Sequence, residues 1–435
     1  MKKLIIVWML IILSFPYSFG QFSPGYYVLK DVWIVDVVSK KIWPHFSIVI
    51  RHNIIEAIGP SREMIIPDSV SVLNYPGRFV MPGLIDTHVH LATDPSRDDN
   101  RARAEKDLKD MLLSGVTTVR DMAGDARALA SLSRDASMDE IISPDIYYAA
   151  LMAGLGFFND SRSHQSTAGG IAGGMPWMRA VTDSTDLPTV VSEARGTGAT
   201  AIKLYAELSA ELAGKITAEA HRQHMLVWSH ANLDQASTLE VINAGVNSIS
   251  HAPMITGWPA KKIPEGWIKA GLTESFWDNA FKTFPAGELI NAMLANKTIL
   301  DATLVTFKTE IADPLITPDQ QLRYLGLYQM GRRFTRLALN RGVLICTGTD
   351  LDEKKFVQRE IKLLVKDCGF EPMDALVCAT KNGAMAIGID KSTGTIEKGK
   401  LANLLILSAD PTENIDNLDK VELVIKNGKL YNPRN

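Results

Sequence analysis

Two histidines separated by one residue are the residue pair in this chain whose type and spacing best suit metal chemistry. The run Met81-Pro-Gly-Leu-Ile-Asp-Thr-His-Val-His90 is typical of a strand that leaves a Pro-Gly turn. Successive strand side chains point to opposite faces, so His88 and His90 share one face, roughly 6–7 Å apart. Two such imidazoles can bind one divalent ion if that face looks into a cavity. A bare His-x-His is more often a surface pair, so the prediction depends on further ligands downstream.

Further candidate ligands fall at the ends of later strand-like runs. They are Lys203, His230, His251 and Asp350. Each alone has an ordinary structural explanation: a satisfied histidine, a lysine whose stem follows an apolar surface, or an aspartate that caps the next helix. Their shared placement at strand ends favours one joint metal site.

The elements that must position these side chains alternate between strand and helix through the middle of the chain. Eight β runs with intervening helical segments predict a (β/α)8 barrel of α/β class. Its strands are parallel, so all their C-terminal ends meet at one mouth. The predicted strands end near 90, 120, 150, 205, 230, 251, 303 and 350, and the predicted helices include 101–114, 209–223, 233–244, 320–340 and 355–367.

Both chain ends have β character without a convincing helix. We predict that residues 21–80 and 389–435 form one small β-sandwich beside a barrel of residues 81–388, the alternative being two independent appendages. Between the third and fourth strands, the glycine-rich segment 168–174 is typical of a flexible loop where a lid over the mouth is expected.

Composition limits the kinds of partner. The 435 residues are 46% hydrophobic, which allows a large core without disulfides, and the net charge of −3 argues against nucleic acid or a polybasic membrane surface. The three cysteines form no disulfide framework, and Cys346 lies in an apolar run. Cys368 and Cys378 could pair in an oxidising compartment, and their spacing alone does not decide whether they do.

The N-terminus has the pattern of a secretory signal. Lys2 and Lys3 precede an apolar stretch, and small residues before Gln21 indicate cleavage after residue 20. The stretch is shorter than the ~20 apolar residues that a spanning helix needs. We therefore expect an exported protein, periplasmic or secreted, with no stable membrane association after cleavage.

Several motifs together resemble the amidohydrolase superfamily of metal-dependent hydrolases, in the branch of imidazolonepropionase-like proteins and Xaa-Pro dipeptidases. The resemblance covers essentially the whole mature chain and implies a distorted (β/α)8 barrel with a β-sandwich built from both ends. The motifs are Pro82-Gly-Leu-Ile-Asp-Thr-His-Val-His90, Gly115-Val-Thr-Thr-Val-Arg-Asp121, Gly198-Ala-Thr-Ala-Ile-Lys203, Ala244-Gly-Val-Asn-Ser-Ile-Ser-His251, Gly348-Thr-Asp350 and Gly394-Thr-Ile-Glu-Lys-Gly-Lys-Leu-Ala-Asn403.

The resemblance also implies a role for each candidate ligand. It implies two divalent ions, with zinc as the expected metal, and Lys203 carboxylated at Nζ so that it bridges them. A desolvated amine near cations has a lowered pKa and can react as the free base. Asp350 would be both ligand and general base and acid for a bridging hydroxide. By the same resemblance His88, His90 and Asp350 hold the more buried ion, and His230 and His251 hold the second.

Substrate residues are less well specified by the sequence. Peptidase members of the family often carry a tyrosine shortly after the strand-five histidine and a Gly-Gly-His segment after strand three. This chain has Ala231-Asn-Leu233 and Gly154-Leu-Gly-Phe-Phe158 there. Tyr205 shares the face of Lys203 and is a candidate substrate contact, with packing as the alternative. His164, in the third connection, is a second candidate, with a surface position as its default interpretation.

The favoured hypothesis is an exported binuclear hydrolase of C–N bonds acting on dipeptides or N-acyl amino acids. A mononuclear deaminase or cyclic-amide hydrolase, with Lys203 merely structural, is the first alternative. A metal-free scaffold on the same fold is the second; it would be expected to have lost ligands, and none is missing. The partner is a small molecule, and self-association is left open.

Overall fold

The computed structural model describes residues 25–68, 70–92, 101–256, 272–350 and 356–433. The predicted signal segment, residues 1–20, lies outside these ranges, so export stays a prediction. Within them, no helix is long and apolar enough to cross a membrane.

Eight parallel strands follow one another in chain order around a nearly closed barrel. The first and eighth strand segments meet where the Thr87 amide donates to the Thr347 carbonyl (2.9 Å) and the Asp350 amide donates to the His88 carbonyl (2.7 Å). The predicted (β/α)8 architecture is confirmed. The barrel strands are Leu84–Val89, Val116–Asp121, Asp145–Ala153, Ala201–Leu204, Leu226–Ser229, Ser248–Ser250, Ile299–Asp301 and Ile345–Cys346.

Helices between the strands bury one apolar face each. In Ala210–Arg222, for example, Leu212, Ile216 and Ala220 are buried at helical spacing, and Ser209 caps the first turn. The α-helices are Arg101–Ser114, Ala126–Ser137, Ser161–Gln165, Leu187–Gly196, Ala210–Arg222, Thr238–Asn243, Ala252–Ile255, Glu274–Lys282, Ala286–Asn296, Leu304–Ile311, Pro318–Asn340, Phe356–Lys366, Pro372–Val377 and Gly383–Ile387, with 3₁₀ turns at Leu155–Asn159 and Ile415–Asp419 and a π turn at Cys378–Asn382.

The long connection after the third strand carries two short strands, Gly174–Met175 and Met178–Ala180. The second of them pairs in parallel with the end of the third barrel strand. The Trp177 indole N–H donates to the Ser166 carbonyl at 2.7 Å, and Arg127 donates to the Ala168 carbonyl at 2.8 Å. These contacts anchor the glycine-rich segment to the barrel.

The chain ends together build a separate sheet of eight strands with its own buried apolar cluster. Phe79–Pro82 joins the two halves, because it pairs in parallel with Trp33–Ile34 and antiparallel with Leu404–Leu407. The prediction of one β unit from both ends is confirmed. Its strands are Tyr26–Asp36, Lys41–Arg51, Ile54–Pro60, Ser71–Asn74, Phe79–Pro82, Leu404–Leu407, Val421–Lys426 and Lys429–Tyr431.

Two elements differ most from their predicted bounds, and both lie at the barrel mouth. The helix expected from residue 233 starts only at Thr238, because Ser237 and Glu240 form a capping box. The residues before it form a loop at the mouth. The eighth strand ends at Cys346, because the following backbone turns to reach Asp350, whose φ is 57°.

Candidate metal centre

All six predicted ligand residues lie at the C-terminal mouth of the barrel. His88 and Lys203 belong to the first and fourth strands. The other four follow directly after the first, fifth and sixth strands or in the turn beyond the eighth: His90, His230, His251 and Asp350. The parallel barrel brings them together because every strand runs toward the same end.

The first group of side chains is His88, His90 and Asp350. Asp350 Oδ1 lies 3.2 Å from Nε2 of His88 and 3.1 Å from Nε2 of His90. The two histidine rings are 5.4 Å apart between centroids, slightly closer than the side-chain separation expected from an ideal strand. Two imidazole nitrogens and a carboxylate oxygen therefore converge on one point, the donor set that binds divalent metals.

His230 and His251 form a second pair beside the first group. Their ring centroids are 4.9 Å apart, and His251 lies 4.8 Å from His88. Ligand atoms of His88, His251 and Asp350 all lie within 4.8 Å of one another. The two groups thus form one continuous cluster.

Three of these histidines have Nδ1 occupied by a protein oxygen. Nδ1 of His88 lies 2.8 Å from Asp301 Oδ2, and Nδ1 of His251 lies 2.8 Å from Thr303 Oγ1. Nδ1 of His230 lies 3.0 Å from the carbonyl of Asn232. When Nδ1 donates to such an oxygen, Nε2 carries the lone pair, which is the arrangement of a metal-ligating imidazole.

Lys203 presents a buried amine at the centre of the cluster. The residue is 2% exposed, and among the described residues its Nζ has no hydrogen-bond partner. Burial, reinforced by the charge of Arg120, lowers the pKa of Lys203 to about 7. An unpartnered buried amine is costly, so the position calls for a ligand or a modification that satisfies it.

The charge states of His230, His251 and Asp350 suit metal binding. Burial lowers the pKa of His230 to about 4 and that of His251 well below its ordinary value. Desolvation opposes ionisation of Asp350, but the contacts of this carboxyl group with His88 and His90 hold its pKa well below the usual range. Neutral imidazoles beside an ionised carboxylate are the forms that bind cations. These residues, together with the Lys203 amine, fit a divalent metal site.

Several buried polar residues support the cluster and were not singled out from the sequence. Asp86 binds the amide of Thr349, and Arg120 and Asp301 form a fully buried ion pair beneath His88. The available signal was a charged residue inside each otherwise apolar strand run, which a buried strand tolerates only if the charge is satisfied.

A cavity of about 340 Å³ opens beside His230. Tyr205 lies on its wall, with its ring centroid 5.1 Å from that of His230 and 4.9 Å from that of Phe157. His164 is exposed and is not among the residues that line the cavity. Most of the remaining lining residues are polar: Asp160, Arg162, Glu207, Asn232 and Asp234.

Known proteins match both the sequence and the fold. The model of the amidohydrolase family matches residues 79–431. Ochratoxinase from Aspergillus niger is 24% identical over 395 residues, covering 81% of this chain and 75% of its own. Imidazolonepropionase from Symbiobacterium thermophilum is 38% identical over 73 residues, or 16% of this chain and 17% of its own.

A solved structure extends the likeness to the whole fold. A Xaa-Pro dipeptidase with bound methionine in its active site superimposes with a TM-score of 0.75, at 22% identity, covering 94% of this chain and 100% of that one. The family match spans most of the chain, including every residue of the cluster. The chain therefore belongs to the amidohydrolase family and is an enzyme, a hydrolase that acts on carbon–nitrogen bonds.

Proposed function

We propose that the protein holds two divalent metal ions, with zinc as the expected metal, and hydrolyses an amide or peptide-like bond. His88, His90 and Asp350 would hold one ion, and His230 and His251 the other. The observation that carries this proposal is the buried Lys203 amine, which lies among these ligands without a hydrogen-bond partner in the described structure. An ammonium group there would repel both cations.

Carboxylation of Lys203 would resolve this conflict. The free amine adds carbon dioxide through its lone pair and releases one proton, which leaves a carbamate with two anionic oxygens. A pKa of about 7 makes the free base abundant at neutral pH. One oxygen for each ion would make Lys203 the bridge between the two sites.

Two bound cations lower the pKa of water and polarise a carbonyl oxygen. The protein's own contribution is proton transfer and orientation. Asp350 lies within about 3 Å of two histidine nitrogens and is held ionised, so it can accept the proton of the attacking water and return it to the leaving nitrogen. His230 and His251 stay neutral at working pH and leave the single proton-transfer role to this carboxylate.

The cavity beside His230 supports dipeptides or N-acyl amino acids as substrates. Among its lining residues Arg162 carries the positive charge. Asp160 engages Nε (3.1 Å) and Nη2 (2.8 Å) of this guanidinium. Tyr205 is near enough to hydrogen-bond to the same guanidinium, so a substrate carboxylate would bind the N–H groups that Asp160 leaves available, beside the Tyr205 hydroxyl.

The rest of the wall favours dipeptides over N-acyl amino acids. Glu207 and Asp234 add negative charge to the lining. A dipeptide carries an ammonium group as well as a carboxylate and can satisfy both signs, whereas an N-acyl amino acid offers only the carboxylate. The name Xaa-Pro dipeptidase, carried by a protein of the same fold, is consistent with a dipeptide substrate.

Elemental analysis of protein purified from cells grown with bicarbonate tests the metal assignment. We expect about two metal atoms per chain in the wild type, and a lower metal content with loss of hydrolysis in Lys203→Ala. About one atom per chain, with Lys203→Ala fully active, would replace this proposal with a mononuclear deaminase or cyclic-amide hydrolase. A protein without metal or activity would favour the scaffold alternative.

A further inference from the structure

The seventh barrel strand carries none of the proposed ligands, yet its end contacts both metal-binding groups. The strand is Ile299–Asp301, and Ala302 and Thr303 continue it into the mouth. The Asp301 carbonyl accepts from the His251 amide at 2.9 Å, and the Ala302 carbonyl accepts from the Ala252 amide at 3.1 Å. This strand end is therefore fixed directly against the sixth strand and its histidine.

Asp301 determines which nitrogen of His88 is free. Its Oδ2 lies 2.8 Å from Nδ1 of His88 and also accepts from the Ser250 hydroxyl at 2.9 Å. The Ser250 hydroxyl and the Arg120 guanidinium both point donors at this oxygen, so Asp301 Oδ2 acts as a hydrogen-bond acceptor. Nδ1 therefore carries the hydrogen of this contact, and Nε2 is the ring nitrogen that faces the other candidate ligands.

Arg120 forms an ion pair with this carboxylate in the barrel interior. Its Nη2 lies 3.1 Å from Asp301 Oδ2, and its guanidinium stacks over Trp228 at 4.6 Å. Both charged residues are 0% exposed. Barrel interiors are usually filled by branched apolar side chains, and a buried ion pair stabilises a fold little better than such packing. A contribution to fold stability is therefore a weak explanation for the presence of the Arg120–Asp301 ion pair.

Thr303 makes the corresponding contact with Nδ1 of His251. Its hydroxyl donates to the Ala302 carbonyl at 2.9 Å, so its oxygen is left to accept from Nδ1 of His251 at 2.8 Å. Thr303 has φ 47° and ψ 43°, a left-handed conformation that a β-branched residue rarely adopts. Strain of this kind persists where the surroundings require it, often at a functional site.

We propose that Asp301 and Thr303 are the positioning residues of the metal centre: each fixes one histidine, and the two histidines belong to different metal sites. Partners of this kind set the ring orientation and basicity of a ligating imidazole, and their loss typically weakens metal binding roughly 10- to 100-fold. The inference rests on the proposed metal binding. It assigns a function to the seventh barrel strand, which carries none of the proposed ligands.

Metal affinity and histidine tautomers test the inference together. Metal affinity would be measured by competition with a chromophoric chelator, and the tautomers by nitrogen-15 NMR of the metal-free protein. We expect Asp301→Asn to weaken one site and Thr303→Val the other, each by about 10- to 100-fold, with a mixed tautomer at the histidine concerned. Thr303→Ser keeps the hydroxyl and should retain wild-type affinity.

Two controls make the same chemical changes away from the centre: Asp107→Asn, in the helix Arg101–Ser114, and Thr335→Val, whose hydroxyl donates to the Gly331 carbonyl. If Asp301→Asn does not fold, the Thr303 variants still decide the matter. Variants that bind metal as tightly as their controls, with unchanged tautomers, would overturn the inference. A wild-type protein that binds no metal would instead overturn the proposed function.

Discussion

Asp86 in the first barrel strand clamps Thr349 at the end of the eighth. Asp86 Oδ1 accepts from the Thr349 amide at 3.1 Å, and Oδ2 lies 2.8 Å from the Thr349 hydroxyl. The same Oδ1 accepts from the His88 amide at 3.1 Å. One buried carboxyl group thus fixes the position of His88 relative to Asp350, which lies in the turn after the eighth barrel strand.

The Asp86 clamp predicts an unusual dependence of stability on pH. Burial raises the pKa of Asp86 from 3.8 to about 8, so the folded state binds its proton more tightly than the unfolded state. This stabilisation is complete below the unfolded pKa and is lost as the pH rises through the folded pKa. Asp86→Asn resembles the protonated acid and cannot lose a proton.

We therefore expect the free energy of unfolding of Asp86→Asn to rise relative to wild type between about pH 4 and pH 8, by at most ~1.4 kcal/mol per pH unit. Urea unfolding of both proteins across this pH range measures the difference in free energy of unfolding. Both proteins are used without metal, because metal binding itself depends on pH. Parallel pH profiles for the two proteins would contradict the assignment.

Gly348 leaves no room for a side chain beneath the cluster. A Cβ there would lie 2.2 Å from Asp301 Oδ1 and 2.6 Å from Cβ of His88. We expect Gly348→Ala to destabilise the fold by roughly 1–3 kcal/mol and to lower the metal content. Gly214→Ala is the matched control, because a helical Cβ there has no neighbour within 4 Å. It should stabilise by ~0.5–1 kcal/mol in thermal unfolding, and equal losses in both variants would contradict the steric explanation.

Arg162 should matter only for substrates with a free carboxylate. For a hydrolysed dipeptide, Arg162→Gln should lower kcat/KM about 10- to 100-fold, since a hydrogen bond to a charged group contributes roughly 1.5–3 kcal/mol. The C-terminally amidated form of the same dipeptide should be affected much less. Arg179→Gln removes an arginine of the same connection that pairs with Glu193 outside the cavity, and it should leave both rates unchanged. An equal loss on both substrates would contradict a carboxylate contact.

The three cysteines, Cys346, Cys368 and Cys378, are buried and unpaired in the structure. Burial raises the pKa of Cys346 to about 12 and also raises the pKa of the other two thiols. We expect thiol titration without reductant to find three groups in denaturant and almost none in the native protein. A single thiol after unfolding would reveal a disulfide.

The candidate ligands show how far strand patterns reach. The period of two in the first strand predicted His88 and His90 on one face, and each later candidate ligand was predicted from its position at the end of an apolar run. The buried ion pair of Arg120 and Asp301 could not be predicted, because a charged residue inside an apolar strand gives the same sequence pattern whether it faces a partner, solvent or a ligand. The two residues lie 181 positions apart in the chain, and a local sequence pattern contains no information about such a distant contact.

The sequence by itself determined the alternation of strands and helices, the eight-stranded barrel, the shared sheet of the two chain ends and the family. The alternation and the barrel follow from side-chain periodicity and local turns, which depend on near neighbours in the chain, whereas the family follows from the resemblance of the motifs. Only the tertiary structure decided which nitrogen of each histidine is free, how the Lys203 amine is buried, and that Arg162 rather than His164 lines the cavity. Those properties depend on distance, desolvation and hydrogen bonds between elements that meet only when the barrel closes.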